Sequence, residues 1–272
     1  GRFDGRSLGP TLLTMPCSLP SLRRLAGRCV RGALSRFGYQ LVPLPTNGTA
    51  PRFVADADEL AELERDLRDF AAHHPGHGPW SDPAAARTYL HHARLCFFGE
   101  VLAACARHHV PLDGRDVADV GSGTGYLLRR IAATSSPRSL VGYDTYADIT
   151  ALARHLCPSA RFVEQDALAG ELAPADVVFA TEVLEHLWQP ADALQRLCAA
   201  VRPGGHVVLT VPDGRTDTFP ALEPLPNGCG HWGHIHFWSP ESWRLFVTQA
   251  GGGREVAFGQ LATGQNYAIL SA

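Results

Sequence analysis

The residues with the clearest chemical meaning are three glycines spaced two apart, Gly121, Gly123 and Gly125, in the run Asp119-Val120-Gly121-Ser122-Gly123-Thr124-Gly125. Glycine at every second position lets the backbone take positive φ and lets a ligand lie against the main chain with no Cβ in the way. A helix start just beyond supplies unpaired N–H groups. Together these make a nucleotide cradle, with Asp119 entering the turn and Ser122 inside it. Two further acids stand where such a ligand would need them. Asp144 ends the apolar segment 139–143, nineteen residues beyond Gly125, placed to accept hydrogen bonds from both hydroxyls of a ribose. Asp166 follows the segment 160–164, where its carboxylate can meet an adenine amino group.

Elements of regular spacing must hold these residues. Apolar runs at 115–120, 139–143, 160–164, 176–180, 206–211, 255–258 and 267–270 read as seven strands. Helical stretches alternate with the first five, beginning with Leu127, Leu128 and Ile131, which implies right-handed crossovers and a parallel sheet covered on both faces. A helix over 190–201 is stopped by Arg202-Pro203-Gly204-Gly205, and Ser239 followed by Pro240 marks another helix start. Upstream, 56–72 forms a helix capped by Asp56, with Leu60, Leu63, Leu67 and Phe70 on its inner side. The stretch 83–109 is helical with a break near Gly99, and its Tyr89, Leu90, Phe97 and Phe98 can cover the start of the sheet.

These pieces, in this order and spacing, resemble the class I S-adenosylmethionine-dependent methyltransferases. The resemblance rests on Asp119 to Gly125, Asp144, Asp166-Ala167, Glu182 to His186 and Arg202 to Gly205, and it covers roughly 90–272. It implies an α/β, Rossmann-like seven-stranded sheet, mostly parallel, with helices on both faces and an antiparallel last strand inserted between the fifth and sixth. It also implies S-adenosyl-L-methionine as cofactor. On that basis Asp119, Gly121, Ser122, Gly123 and Gly125 surround its methionine end, Asp144 takes the ribose with Tyr143 or Thr145 beside it, and Asp166 with Ala167 holds the adenine. The alternative role for Asp119 is to hold the glycine turn through backbone N–H bonds, and Glu182 meets the carboxypropyl amine through its main chain. The chain then divides into a disordered or non-native start at 1–20, an N-terminal helical extension and linker at 21–85, and a methyltransferase domain at 86–272 with a substrate lid at 212–238.

A methyl donor of this kind already carries the activated group, so the protein supplies positioning, exclusion of water and a base. An alcohol needs its proton taken as it attacks, whereas an amine only has to arrive neutral. His186, just past the fourth strand, is the leading catalytic base, with Glu182 four residues earlier on the same face of a helical turn to orient it. In the long loop after the fifth strand, His231 and His234 offer a second base. With His236, Asp213 and Cys229 they alternatively offer ligands for a divalent metal that would chelate a vicinal diol. Asp213, Trp232, His236 and Trp238 suit contact with a sugar ring or planar substrate.

The first expectation is O-methylation of a hydroxyl on a sugar or other small hydroxylated molecule, ahead of a natural-product, quinone or amine acceptor. The alternatives are a non-catalytic cofactor-binding scaffold and a nicotinamide-dependent oxidoreductase, the latter lacking the usual Gly-x-G-x-x-Gly spacing. A net charge of −3 over 272 residues argues against a nucleic-acid partner. Seven cysteines without a C-x-x-C pair fit reduced thiols and a cytoplasmic setting. No stretch reaches the apolar length of a transmembrane segment. Residues 21–37 form a basic amphipathic helix suited to docking on its own domain, on a homodimer mate or peripherally on an anionic membrane. Met15 is the only methionine, and 1–14 are left out of fold reasoning.

Overall fold

The computed structural model describes residues 57–272 apart from 167, 168, 218, 220–229, 231, 232, 253 and 255. The helix expected over 21–37, the linker after it, the Asp56 cap, and the candidates Ala167, Cys229, His231 and Trp232 lie outside the described residues.

Strands β1 (Asp116–Val120), β2 (Ser139–Asp144), β3 (Arg161–Glu164), β4 (Ala175–Thr181), β5 (Val201–Pro212), β6 (Val256–Gln260) and β7 (Gln265–Ser271) form one sheet in the order β3-β2-β1-β4-β5-β7-β6. The first five pair in parallel, and β7 runs antiparallel between β5 and β6, as the resemblance implies. The order reverses between β1 and β4, so the connections leaving their carboxyl ends run to opposite faces of the sheet and leave the crevice in which open α/β sheets bind ligands.

Both faces of the sheet are buried, and the two-residue period of the strands divides the core in two. Val117, Val177, Phe179, Val208 and Ile269 point to one side, while Ala118, Val178, Ala180, Val207, Leu209 and Leu270 point to the other. On the first side pack α1 (Ala57–His73), α2 (Pro83–Tyr89), α3 (His92–Arg107), α4 (Tyr126–Thr134) and α5 (Ala147–Leu156). On the second pack α6 (Pro190–Ala200) and α7 (Pro240–Ala250). Leu63, Leu67 and Phe70 place α1 in the same core as the sheet. Charge reinforces the contact: Tyr126 donates to Glu59 at 2.5 Å, and Arg129 binds Asp66 at 2.5 Å and Glu62 at 2.7 Å. The described cysteines, Cys96, Cys105, Cys157 and Cys198, are all buried and outside any disulfide. Among the described residues no helix is long and apolar enough to cross a membrane.

Two local expectations need correction. The break in 83–109 falls at Leu90 and His91, not near Gly99. The Leu90 N–H closes α2 on the Ala86 carbonyl, and the His91 ring accepts from the Arg94 N–H to open α3, while Gly99 stays helical in a buried position. Arg202 to Gly205 end α6 but do not precede the strand: β5 already begins at Val201, and the run is absorbed as a register shift against β4. Gly204 there has φ of 77°, and a Cβ on Gly205 would strike the Asp176 carbonyl. Ser239 caps α7 as expected, accepting from the Ser242 N–H at 3.2 Å.

Candidate active site

The glycine turn lies where β1 passes into α4, and all three glycines are left-handed, at φ of 71°, 51° and 71°. Space demands glycine as much as conformation does. A Cβ on Gly121 would come within 2.5 Å of Val183, and one on Gly125 within 2.5 Å of Phe162. The turn is tied to β2 by Gly121 and Ser122 N–H groups donating to the Tyr143 carbonyl at 2.9 and 3.0 Å. Asp144 grips it from the same side, with Oδ2 accepting from Gly123 N–H at 2.8 Å and Oδ1 from Tyr146 N–H at 3.1 Å. The Tyr143 side chain itself goes into the core, where its hydroxyl accepts from Ala173 N–H, and Thr145 stands half-buried beyond Asp144. The Asp166 carbonyl starts the next turn by accepting from Ala169 and Gly170.

Two polar atoms of this turn have been removed from water without compensation. Asp119 is 1% exposed, and its Oδ1 meets no partner, as is also true of the buried Ser122 Oγ. Burial, then the charge of Asp144, pushes the Asp119 carboxyl well above the usual range. Asp119 therefore does not brace the turn through that oxygen. An orphaned buried acceptor costs about 1–3 kcal/mol, so both atoms are suited to groups that a ligand brings.

A roof covers the turn. The Tyr89 hydroxyl lies 3.3 Å from where a Cβ on Gly123 would sit. The Arg94 guanidinium stacks 4.3 Å from the centre of the Tyr89 ring and donates to its hydroxyl at 3.3 Å. Trp80 meets the same ring edge-on at 5.3 Å.

Beyond β4 the chain does not continue as a helix. Glu182 is left-handed at φ of 56°, and only Leu184–His186 form a 3-10 turn, so the expected shared helical face of Glu182 and His186 does not form. Hydrogen bonds to β5 win instead: Glu182 N–H donates to the Thr210 carbonyl, and the Thr210 hydroxyl donates to Glu182 Oε1, both at 3.0 Å. A non-glycine residue in this conformation costs about 1 kcal/mol or more, which the two bonds to Thr210 help to offset.

The turn brings inward a residue that sequence reasoning passed over. Glu185 is 0% exposed, and neither carboxylate oxygen has a hydrogen-bond partner. Its Oε1 lies 3.9 Å from Nε2 of both His186 and His234. The two rings meet edge-on, with centroids 4.8 Å apart. Each ring is held from its far side: His234 Nδ1 lies 2.5 Å from Asp217 Oδ2, and His186 Nδ1 lies 3.2 Å from the Gly233 carbonyl. Burial pushes the Glu182 carboxyl up to about 7, against the opposing pull of Arg94, Thr210 and His234. Burial and the charges of Glu182 and Asp217 push that of Glu185 well above the usual range.

The segment after 230 is fastened to this turn by its backbone. Leu187 and Gly230 form an antiparallel bridge, and Ile235 and His236 N–H groups donate to the Glu185 carbonyl at 2.9 and 3.2 Å. His236 serves as a clasp: its Nε2 binds the Leu187 carbonyl at 2.8 Å and its ring stacks on Trp238. Trp238 in turn packs on Trp243 and Phe246. Asp213 is engaged by the Arg215 guanidinium and by Gln260 at 3.0 Å. Although burial raises the Asp213 carboxyl, Arg215 prevails and holds it below its usual range. Of the candidates read from the sequence, the structure thus gathers Glu182, His186 and His234, and sets His236, Trp238 and Asp213 in bracing roles. Glu185, Thr210 and Arg94 join the site without having been singled out, and Asp217, expected only as part of the lid over 212–238, joins it through His234.

Several known proteins are similar to this chain. The tRNA U34 carboxymethyltransferase of Syntrophotalea carbinolica is 35% identical over 127 residues, 42% of this chain and 38% of that protein. A trans-aconitate 2-methyltransferase of Rhodopseudomonas palustris is 35% identical over 107 residues, 38% and 41% of the two chains. The ubiquinone biosynthesis O-methyltransferase of a Methylobacterium species is 31% identical over 165 residues, 55% and 61%. The chain thus spans less than two thirds of the length of each. The magnesium protoporphyrin IX methyltransferase of Synechocystis, solved with bound SAM, shares the fold at a TM-score of 0.50 and 14% identity, over 77% of this chain and 96% of that one. A family model described as a methyltransferase domain matches residues 89–251, more than half of the sequence and the whole span from the Tyr89 roof through α7. With the glycine turn, the strand order and the inserted antiparallel strand in place, the chain belongs to the class I, S-adenosylmethionine-dependent methyltransferases.

Proposed function

We propose that the chain transfers the methyl group of S-adenosylmethionine to a hydroxyl oxygen of a small, uncharged acceptor, a sugar first among them. The observation that carries this reading is the packing of Glu182, Glu185 and Asp217 round His186 and His234, next to the glycine turn. Such a cluster is of use when a proton has to leave the attacking atom. An amine acceptor needs only to arrive neutral, and a carboxylate such as that of trans-aconitate is already ionised. A quinol or other phenol is the second acceptor class, favoured by the alignment with the ubiquinone enzyme and by Phe219, which packs on His234 and is 42% exposed. An RNA acceptor has less support, since acidic residues outnumber basic ones by 27 to 24.

The residues present fit the cofactor. Asp119 Oδ1 is an unsatisfied acceptor for its ammonium, Arg94 a cation for its carboxylate, and Asp144 an acid for the ribose. When bound, the cofactor supplies an electrophilic methyl group on a sulfonium. The chain's own part is to align the hydroxyl, keep water out beneath the Tyr89 and Arg94 roof, and receive the proton among Glu182, His186 and His234. Radiolabelled methyl transfer, measured on glycosides, a catechol, trans-aconitate and tRNA, tests the reading. Base-stable label on a glycoside or catechol is expected. Label appearing only on trans-aconitate as a base-labile ester, or only on tRNA, would overturn it.

A further inference from the structure

The geometry points to a divalent transition-metal site formed by Glu185, His186 and His234. Three observations converge. First, one ligand atom from each residue lies within 4.8 Å of the others, and the two edges from Glu185 Oε1 to the imidazole Nε2 atoms are both 3.9 Å. Tetrahedral binding at roughly 2.0–2.1 Å needs edges of about 3.4 Å, so to close on an ion the two edges from Glu185 shorten by about 0.5 Å and the edge between the imidazoles by up to about 1.4 Å, which side-chain rotation supplies. Second, the Glu185 carboxylate is wholly buried, aimed at both rings, and without a hydrogen-bond partner on either oxygen. A buried carboxylate left in that condition is among the costliest groups a fold can carry, and a cation held at Oε1 removes the cost.

Third, the imidazoles are already oriented as metal ligands. Asp217 takes the Nδ1 side of His234, and the Gly233 carbonyl takes that of His186. With the Nδ1 proton of His234 committed to Asp217, its Nε2 keeps its lone pair 3.9 Å from Glu185 Oε1. Two imidazoles and one carboxylate suit Mn2+, Co2+ or Zn2+ better than a hard, oxygen-seeking ion. Glu182, on the same turn after β4 with its Oε1 held by the Thr210 hydroxyl at 3.0 Å, supplies a further carboxylate beside the site.

What the ion would do rests on the reading of hydroxyl methylation. The acceptor oxygen would occupy an open coordination position and lose its proton to Glu182, and its lone pair would form the new bond to the methyl carbon as the carbon–sulfur bond breaks and its electron pair returns to sulfur, leaving S-adenosylhomocysteine. The site itself does not depend on that reading. It differs from the ligand set expected from the loop histidines, because His236 is committed to Leu187 and Asp213 to Arg215.

The test is Co2+ titration of the full chain, stripped with EDTA and free of acceptor, followed by visible absorption and by metal analysis after dialysis. One Co2+ per chain with ligand-field bands is expected. Glu185→Gln and His234→Ala should each weaken binding by roughly 10–100-fold or more. Both variants should still bind S-adenosylhomocysteine within about threefold of wild type, which shows that they are folded. Absence of stoichiometric Co2+, or Co2+ bound equally well by a folded His234→Ala variant, overturns the site. Co2+ binding without methylation of any hydroxyl would sink the proposed acceptor chemistry and leave the site standing. Methylation with no ion bound would do the reverse.

Discussion

At the residue scale, the glycine turn leaves no room for substitution. Gly125→Ala would add a Cβ 2.5 Å from Phe162 in a left-handed conformation, and we expect it to cost about 2–4 kcal/mol, read from urea unfolding. Asp119 and Arg94 make the opposite prediction, because their proposed work is on the ligand. Arg94→Ala should weaken binding of S-adenosylhomocysteine about tenfold, about 1.4 kcal/mol, while the melting temperature of the free protein stays within about 2 °C. A fall in stability with unchanged affinity would show Arg94 to be a brace for Tyr89 alone. The residues that sequence reasoning passed over share a physical reason. Glu185 was hidden by a helical reading of 182–186, which favours the i, i+4 pair. Asp217 has no meaning until the chain folds back seventeen positions to bring it to His234.

At the element scale, the central strands β1, β4, β5 and β7 were legible because they are buried on both faces and are rich in apolar residues, whereas the edge strands β3 and β6 are more exposed. The turns were less legible. Arg202 to Gly205 carry stop signals, yet pairing with β4 draws them into a strand. Below the same strands, Asp116 gathers Arg138 at 2.6 Å, Ser139 at 2.7 Å and Arg202 at 2.7 Å, and Arg138 and Arg202 also reach Asp176. These partners, Arg138 foremost, hold the Asp116 carboxyl below its usual range. A depressed carboxylate stabilises the fold fully above its unfolded value and loses that contribution as pH falls through the folded one. Asp116→Asn should therefore be less stable than wild type by about 1 kcal/mol at neutral pH, with the gap narrowing below about pH 4. A gap that is constant between pH 7 and pH 3 would mean that the carboxylate's charge is not what matters.

At the scale of the molecule, one sheet and two helical layers make a core whose residues run from Leu63 to Leu270. We expect a chain shortened to 45–272 to fold cooperatively and to bind S-adenosylhomocysteine within about threefold of the full chain, by calorimetric titration. Loss of binding on truncation would give the first 44 residues a part in the cofactor site. The family pattern was legible at this scale because a glycine turn and spaced acids encode the cofactor half. The acceptor half was not, since it is assembled from a turn after β4 and a distant segment that meet only in three dimensions.

The buried thiols give the native protein clocks for its own opening. Only a thiolate attacks a disulfide reagent, and burial that pushes the Cys105 thiol up to about 12 leaves almost none in the folded state. Cys105 and Cys157 belong to the layer beneath α1, and Cys198 to the layer beneath α7. Modification of each must wait for its own layer to loosen, so mass spectrometry after brief labelling would report the opening of the two sides separately.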